Sequence, residues 1–306
     1  MNLEKLTDRL RKPEGMVDVV LDTDTYNEID DQFALSYLVR SGDRLRLQAV
    51  YAAPFFNHHS ESPGDGMEKS YREILKILEL LEVPEYQTRV YRGSAEYLPD
   101  EKTLVDSPAA RDLAKRALAR SEEEPLYVVA IGAITNVASA LLLEPEIKEK
   151  IVVVWLGGHA LDWHDNREFN MMQDVAAARV VFDSGVPLVL LPCMGVVSSF
   201  SVSGPELEYW LKGKNRLCDY LAENTIREAQ AVGSEKCWSR VIWDVTAVAW
   251  LLDENFMEER LEPRPIPEYD HHWAFDRTRP MMKYVYGIHR DRLLTDLVEK
   301  LTKAGK

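Results

Sequence analysis

No run of about 18 apolar residues occurs anywhere in this sequence, so no membrane-spanning helix is expected. Cysteine is scarce. Cys193, Cys218 and Cys237 are far apart and odd in number, which excludes a disulfide framework and a cysteine metal spacing. Positive charge is in deficit: 37 Lys and Arg face 51 Asp and Glu, for a net charge of −14. A broadly acidic surface argues against nucleic acid as a partner. It leaves open small ligands that carry no phosphate. The opening residues Met1 to Leu6 lack the basic-then-apolar shape of a secretory signal. With so little cysteine, a reducing cytoplasm is the expected setting.

No internal repeat or low-complexity linker breaks the chain. Its 306 residues, 46% hydrophobic and 29% charged, suit one globular domain covering 1–306. Apolar runs at 17–21, 45–53, 126–131, 151–156 and 186–192 read as strands, with a short one near 89–91. Helical spacing occupies 32–40, 67–81, 108–120, 136–143 and 175–184 between them. This alternation, with largely continuous apolar strands, predicts an α/β fold: a mainly parallel central sheet, helices on both faces, an open Rossmann-like core. From about residue 200 the pattern turns mostly helical, over 206–211, 217–230, 244–252 and 290–303. The segment 260–290, rich in Pro, His and aromatics, reads as a small strand pair or a loop over the site.

In an open parallel sheet, ligands bind outside the carboxyl ends of the strands. The richest such end follows Val19-Val20-Leu21 and carries Asp22, Asp24, Glu28, Asp30 and Asp31 within ten residues. Like charges packed there raise one another's pKa, and a hard divalent cation among the oxygens relieves them without Cys or His. The plainer reading is a solvated loop in which Asp30 or Asp31 favours the first turn of a helix. The buried strand directly before the acids, and the adjacent pair, favour a metal or catalytic site.

Two further segments lie at comparable places. Leu156-Gly157-Gly158 ends a strand, and Glu168-Phe169-Asn170 follows, a carboxylate and an amide suited to hydroxyl groups. Asp174, just beyond, reads as a helix N-cap. Asp244 heads an apolar helix, and alone it too reads as an N-cap.

Taken in order, these segments resemble the nucleoside hydrolase family of the inosine–uridine preferring type. The family opens with a strand and Asp-x-Asp-Pro-Gly-x-Asp-Asp. Here that stretch is Asp22-Thr23-Asp24-Thr25-Tyr26-Asn27-Glu28-Ile29-Asp30-Asp31. Gly132-Ala133-Ile134-Thr135-Asn136 is similar to the family's Gly-Pro-Leu-Thr-Asn. Leu156-Gly157-Gly158, Glu168-Phe169-Asn170 and Asp174-Val175-Ala176-Ala177 match its central run, and Asp244 its late Asp. Order and spacing hold from residue 17 to about 252.

The resemblance implies hydrolysis of the N-glycosidic bond of a ribonucleoside or related riboside, giving ribose and free base in purine or pyrimidine salvage. It implies a calcium ion held by Asp24, Asp31, Asp244 and the carbonyl of Ile131, with Asp24 as general base on a metal-bound water. Asp30, Asn57 and Asn170 would hold the ribose hydroxyls, and Glu168 the 5′-hydroxyl. Asp22 would brace the strand end. Members of the family commonly form homodimers or homotetramers.

Three departures stand out. The acidic loop is two residues longer, and the inserted Asn27-Glu28 either reshapes the sugar pocket or points to solvent. Trp243 stands where many members carry the His that protonates the leaving base. An indole stacks on a base but cannot protonate it. His164, His271 and His272 are the substitute candidates, with His159, His58 and His59 behind them. Asp162 occupies the place of an Asn that contacts the 5′-hydroxyl, with Asn166 as an alternative, and Arg167 hints at a phosphate or acidic substituent.

Two other readings compete. Asp22-Thr23-Asp24-Thr25 also fits the opening motif of a haloacid-dehalogenase-type magnesium phosphatase, with Ser198-Ser199 forced into its second motif. That assignment leaves Glu168, Asn170 and Asp244 without a task. A catalytically weak riboside-binding protein is the other.

Overall fold

The structure is a computed structural model in which residues 3–233 and 236–303 are described. The strands are β1 (Val17–Thr23), β2 (Leu45–Ala52), β3 (Val90–Arg92), β4 (Leu126–Ala130), β5 (Ile151–Leu156), β6 (Leu188–Leu191), β7 (Ser201–Ser203), β8 (Ser239–Val241), β9 (Met257–Pro263), β10 (Ile266–Pro267), β11 (Trp273–Ala274) and β12 (Met281–Ile288). The helices are α1 (Leu3–Arg9), α2 (Asp30–Arg40), α3 (Pro63–Leu80), α4 (Pro108–Leu118), α5 (Thr135–Leu143), α6 (Phe169–Gln173), α7 (Val175–Asp183), α8 (Gly204–Trp210), α9 (Arg216–Val232), α10 (Val245–Ala249) and α11 (Arg290–Thr302).

Eight strands form the central sheet in the order β3-β2-β1-β4-β5-β6-β12-β9. Pairing is parallel from β3 to β12, and only the edge pair β12–β9 is antiparallel. Parallel neighbours need crossover connections, and here helices supply most of them. The helices then cover both faces, which is why β4 and β5 are buried along their whole length.

The two-residue period of a strand sorts the core into two layers. Val152, Val154 and Leu156 of β5 join Phe33, Ile77, Leu221 and Leu297 on one face. Ile151, Val153 and Trp155 join Leu113, Val137 and Val181 on the other. Among the described residues, no helix is long and apolar enough to cross a membrane.

The segment 260–290 departs from the sequence expectation. It does contain a strand pair, β10–β11, but it also holds the end of β9 and all of β12, which extend the main sheet. β12 lies near the sheet edge and is only partly buried, so its apolar signal is weak. The short pair β7–β8 was likewise not legible. Helix α3 begins four residues before the expected Met67, because Ser62 caps it and Pro63 takes its first position.

The order β3-β2-β1-β4-β5-β6 reverses direction at β1, where the chain first builds outward on one side and then returns to the other. Loops leaving β1 and β4 therefore part, and a crevice opens between them. Its floor is braced by Asn136 at the start of α5. The Asn136 amide donates to Asp22 Oδ1 at 2.8 Å and to the Ala52 carbonyl at 3.3 Å. Its oxygen accepts from the backbone N–H and hydroxyl of Ser94.

Gly93 makes that junction possible. A Cβ there would lie 2.0 Å from the Ala52 carbonyl oxygen and 2.4 Å from Asn136 Nδ2. Gly93→Ala is expected to cost about 1–3 kcal/mol, the usual range for overpacking. A urea midpoint indistinguishable from wild type would show that the junction yields freely.

Candidate active site

Where β1 ends, the chain turns at once into an acidic cradle. The Asn27 N–H donates to the Asp24 carbonyl at 2.7 Å and closes a tight turn. Three residues later α2 begins. Its N-cap is Ile29, which offers no side-chain oxygen to the free N–H groups. Asp30 and Asp31 occupy the first turn instead, where the helix dipole favours negative charge.

Asp31 Oδ1 accepts from the Thr23 hydroxyl, which lies 2.8 Å from that of Thr25. From the far side of the crevice, Asp244 at the head of α10 brings a third carboxylate. One oxygen each from Asp30, Asp31 and Asp244 lie within 4.8 Å of one another. Asp24 stands beside them, and neither of its buried oxygens receives a protein donor. Gly132 keeps that space clear: a Cβ at Gly132 would lie 3.0 Å from Asp24 Oδ1.

Burial raises all four carboxyls, and their mutual repulsion raises three of them further. Asp24 is lifted by burial, then by Asp31 and Asp30. Asp244 is lifted by burial, then by Asp30, Asp31 and Asp24. For Asp30 the causes are burial, then Glu28 and Asp31. Asp31 is pushed up to about 7 by burial, against the Thr23 hydroxyl. Four such groups persist at neutral pH by sharing protons or by holding a cation. The donor set is carboxylate oxygen with the Ile131 carbonyl nearby, which fits a hard divalent ion.

The opposite wall is the segment from β5 to α6. Glu168 is the N-cap of α6, and its carboxylate accepts the N–H groups of Gly158, Asn170 and Met171 at 2.8, 2.9 and 2.8 Å. The Asn170 amide donates to the carbonyls of Leu156 at 3.1 Å and Ile131 at 3.3 Å, tying the ends of β5 and β4 together. Asp174 is a structural cap of α7. It accepts from Ala177 N–H and also from Leu98 N–H and the Thr135 hydroxyl.

A cavity of about 180 Å³ lies between these walls. It gathers eight of the residues singled out in the sequence: Asp24, Asp30, Asp31, Ile131, Glu168, Asn170, Trp243 and Asp244. The inserted Asn27 and Glu28 line it too, so they face the pocket. Asn57 does not line it. Its amide donates to Asn27 Oδ1 at 2.6 Å and so steadies a residue that does.

Several other residues named in the sequence are not brought to the cavity. Asp162 and His164 are exposed on the outer part of the loop, with His164 3.4 Å from Asp165. His272 is exposed and 3.3 Å from Asp270, and neither it nor His271 lines the cavity. His58 lies against His59, ring centroids 3.8 Å apart, also outside the lining. Ser198 and Ser199 of the competing phosphatase motif do not reach it.

Leu156, His159, Arg167, Phe169, Cys193 and Met194 complete the lining. His159 and Arg167 were visible in the sequence only as a secondary candidate and a hint. Cys193 and Met194 were missed, although they follow β6 directly and the carboxyl-end rule applies to that strand as well. The Cys193 thiol is raised by burial and then by Glu168, Asp244 and Asp30.

Comparison with known proteins gives the same direction. Residues 19–291 match the family model described as inosine-uridine preferring nucleoside hydrolase. A pyrimidine-specific ribonucleoside hydrolase, RihA of Klebsiella pneumoniae (strain 342), is 27% identical over 248 residues, 73% of this chain and 76% of that protein. Among solved structures, a purine-preferring ribonucleoside hydrolase from Gardnerella vaginalis superposes with a TM-score of 0.77 at 22% identity, covering 93% of this chain and 98% of that one. The inosine-uridine preferring nucleoside hydrolase of Bacillus anthracis gives 0.71 at 18% identity, covering 94% and 100%.

The raised carboxyls predict an unusual pH dependence. Asp31 and Asp22 titrate at about 7 when folded, against an ordinary value of 3.8. The folded metal-free protein therefore keeps protons that the unfolded chain releases. This contribution to stability is complete below about pH 4 and is lost as pH rises through about 7. In a chelator, Tm should fall between about pH 5 and about pH 7.5, and a hard divalent cation should restore it at the higher pH. A chelated protein whose Tm climbs over that interval would contradict the assignment.

Proposed function

This chain belongs to the inosine-uridine preferring nucleoside hydrolase family, and from that membership we propose a calcium-dependent hydrolase that splits a ribonucleoside into ribose and free base. N-glycosidic hydrolysis is the family's chemistry. The calcium ion, the assignment of residues, a cytoplasmic role in nucleoside salvage and assembly as a homodimer or homotetramer belong to the proposal. The observation that carries it is the meeting of Asp24, Asp30, Asp31 and Asp244, buried together at the turning point of the sheet.

Asp24, Asp31, Asp244 and the Ile131 carbonyl would hold the cation, with Asp30 close enough to share the task. When bound, calcium would supply Lewis-acid chemistry at the cluster, making an attacking water more acidic. Asp24 takes the proton from that water, since no protein donor occupies its oxygens. Asp30 and Asn170 hold the 2′- and 3′-hydroxyls, with Asn57 acting through Asn27. As the glycosidic bond lengthens, positive charge grows on the sugar ring, and the fixed carboxylates stabilise it more than the neutral substrate. Trp243 offers an indole face to the departing base.

Base release from a panel of ribonucleosides tests the proposal. Turnover of a phosphate monoester with magnesium in its place would favour the phosphatase. Thermal stabilisation by nucleosides without turnover would point to a binding protein.

Asp24→Ala should lower kcat about 10²–10⁴-fold, the usual worth of a general base, and weaken calcium binding. Full activity in that variant would remove Asp24 from the mechanism. Trp243→Ala should change KM by roughly tenfold and alter the preference between purine and pyrimidine nucleosides. Identical kinetics on every base would place Trp243 away from the leaving group.

A further inference from the structure

Charge divides the cavity into two walls. Asp24, Glu28, Asp30 and Asp31 come from the β1–α2 turn and Asp244 from the head of α10. The facing wall, from β5 to α6, brings the two basic side chains of the lining, His159 and Arg167.

Neither basic group is spent on the protein. The Arg167 guanidinium makes no hydrogen bond or ion pair with any described residue, although Glu28 and Glu168 line the same cavity; its backbone N–H donates to Asp165 Oδ1 at 3.1 Å, a carboxyl held below its ordinary value first by that hydrogen bond and then by the charges of His164, His159 and Arg167. His159 is held from three sides. Its N–H donates to Asn166 Oδ1 at 2.8 Å and its carbonyl accepts from Trp273 Nε1 at 3.1 Å. Its Nδ1 accepts the Met194 N–H at 3.3 Å. An imidazole with Nδ1 as acceptor carries its proton on Nε2, which is left free to donate.

On the same wall, Glu168 is nearly saturated. Its two oxygens already accept three backbone N–H groups, which leaves it a poor partner for one more hydroxyl. The shape of a furanose completes the argument. Its vicinal diol lies on one edge, and the C5′ arm leaves from the other. A riboside with its diol among the carboxylates turns that arm toward the β5–α6 wall. An uncharged hydroxymethyl group makes little use of a free guanidinium, whereas a phosphate ester takes it as a charge-assisted, bidentate partner.

We propose that Arg167 and His159 form a phosphate subsite on the β5–α6 wall, so that this protein takes N-ribosides carrying a phosphate ester at C5′. The proposal rests on the riboside reading of the carboxylate cluster. It also sets a guanidinium beside such a ligand in a chain whose net charge of −14 would otherwise repel it.

Binding and turnover together test it, with calcium present throughout. Titration calorimetry compares ribose 5-phosphate with ribose, and base release compares inosine 5′-monophosphate with inosine. Ribose 5-phosphate should bind at least about tenfold tighter than ribose. Arg167→Ala should bring that ratio close to one, and the ratio of kcat/KM for the two nucleosides should fall with it. Equal binding of the two sugars, or a preference that survives Arg167→Ala, overturns the subsite even if inosine is hydrolysed. A preference that Arg167→Ala removes, without base release from either nucleoside, upholds the subsite and overturns the hydrolase reading.

Discussion

Repulsion among buried carboxylates is the constraint around which the rest of this molecule is arranged. Asp24, Asp30, Asp31 and Asp244 are almost completely enclosed, and such a group destabilises the fold unless something positive or protic lies among it. The sheet forces the encounter. Its strand order reverses between β1 and β4, so the β1–α2 turn stands next to the loop after β4, and α10 closes the third side. Two apolar layers as complete as those on the faces of β4 and β5 provide the stability that this concentration of charge consumes.

Much of this was legible in the sequence. The apolar runs at 19–21, 126–131 and 151–156 mark the centre of the sheet, because strands buried on both faces carry few polar interruptions. The carboxylates at their ends marked the site. Legibility failed where burial is partial. β9 at the sheet edge is mostly exposed or half-buried and β12 beside it only partly buried, and Pro and His around them hide the period. The cavity lining was read well from the strands whose ends carry charged residues. It was read poorly at β6, where Cys193 and Met194 give no polar signal. Histidine was the least informative residue. His164, His271 and His272 drew notice for their chemistry alone, whereas His159 reaches the cavity because it follows the glycines at the end of β5.

The two walls answer different chemical questions. The acidic wall is specified by the reaction, since a cation, a base and hydroxyl ligands all require oxygen. The β5–α6 wall is specified by what hangs from the sugar. Glu168 holds the start of α6 there, and Trp273 of β11 pins the loop from outside through the His159 carbonyl. The β10–β11 pair thus acts on the cavity by fixing the backbone that presents His159.

The scarcity of cysteine has a practical side. Cys193 and Cys218 are buried and their thiols are raised, Cys218 to about 11, so neither offers much thiolate near neutral pH. Cys237 is exposed. It lies three residues before Arg240, whose guanidinium is 3.8 Å from Glu28 at the cavity and 3.6 Å from Glu228. A maleimide dye therefore has one accessible address on the native chain, next to the ion-pair network that borders the mouth. The protein comes with its own attachment point for an optical reporter of what enters.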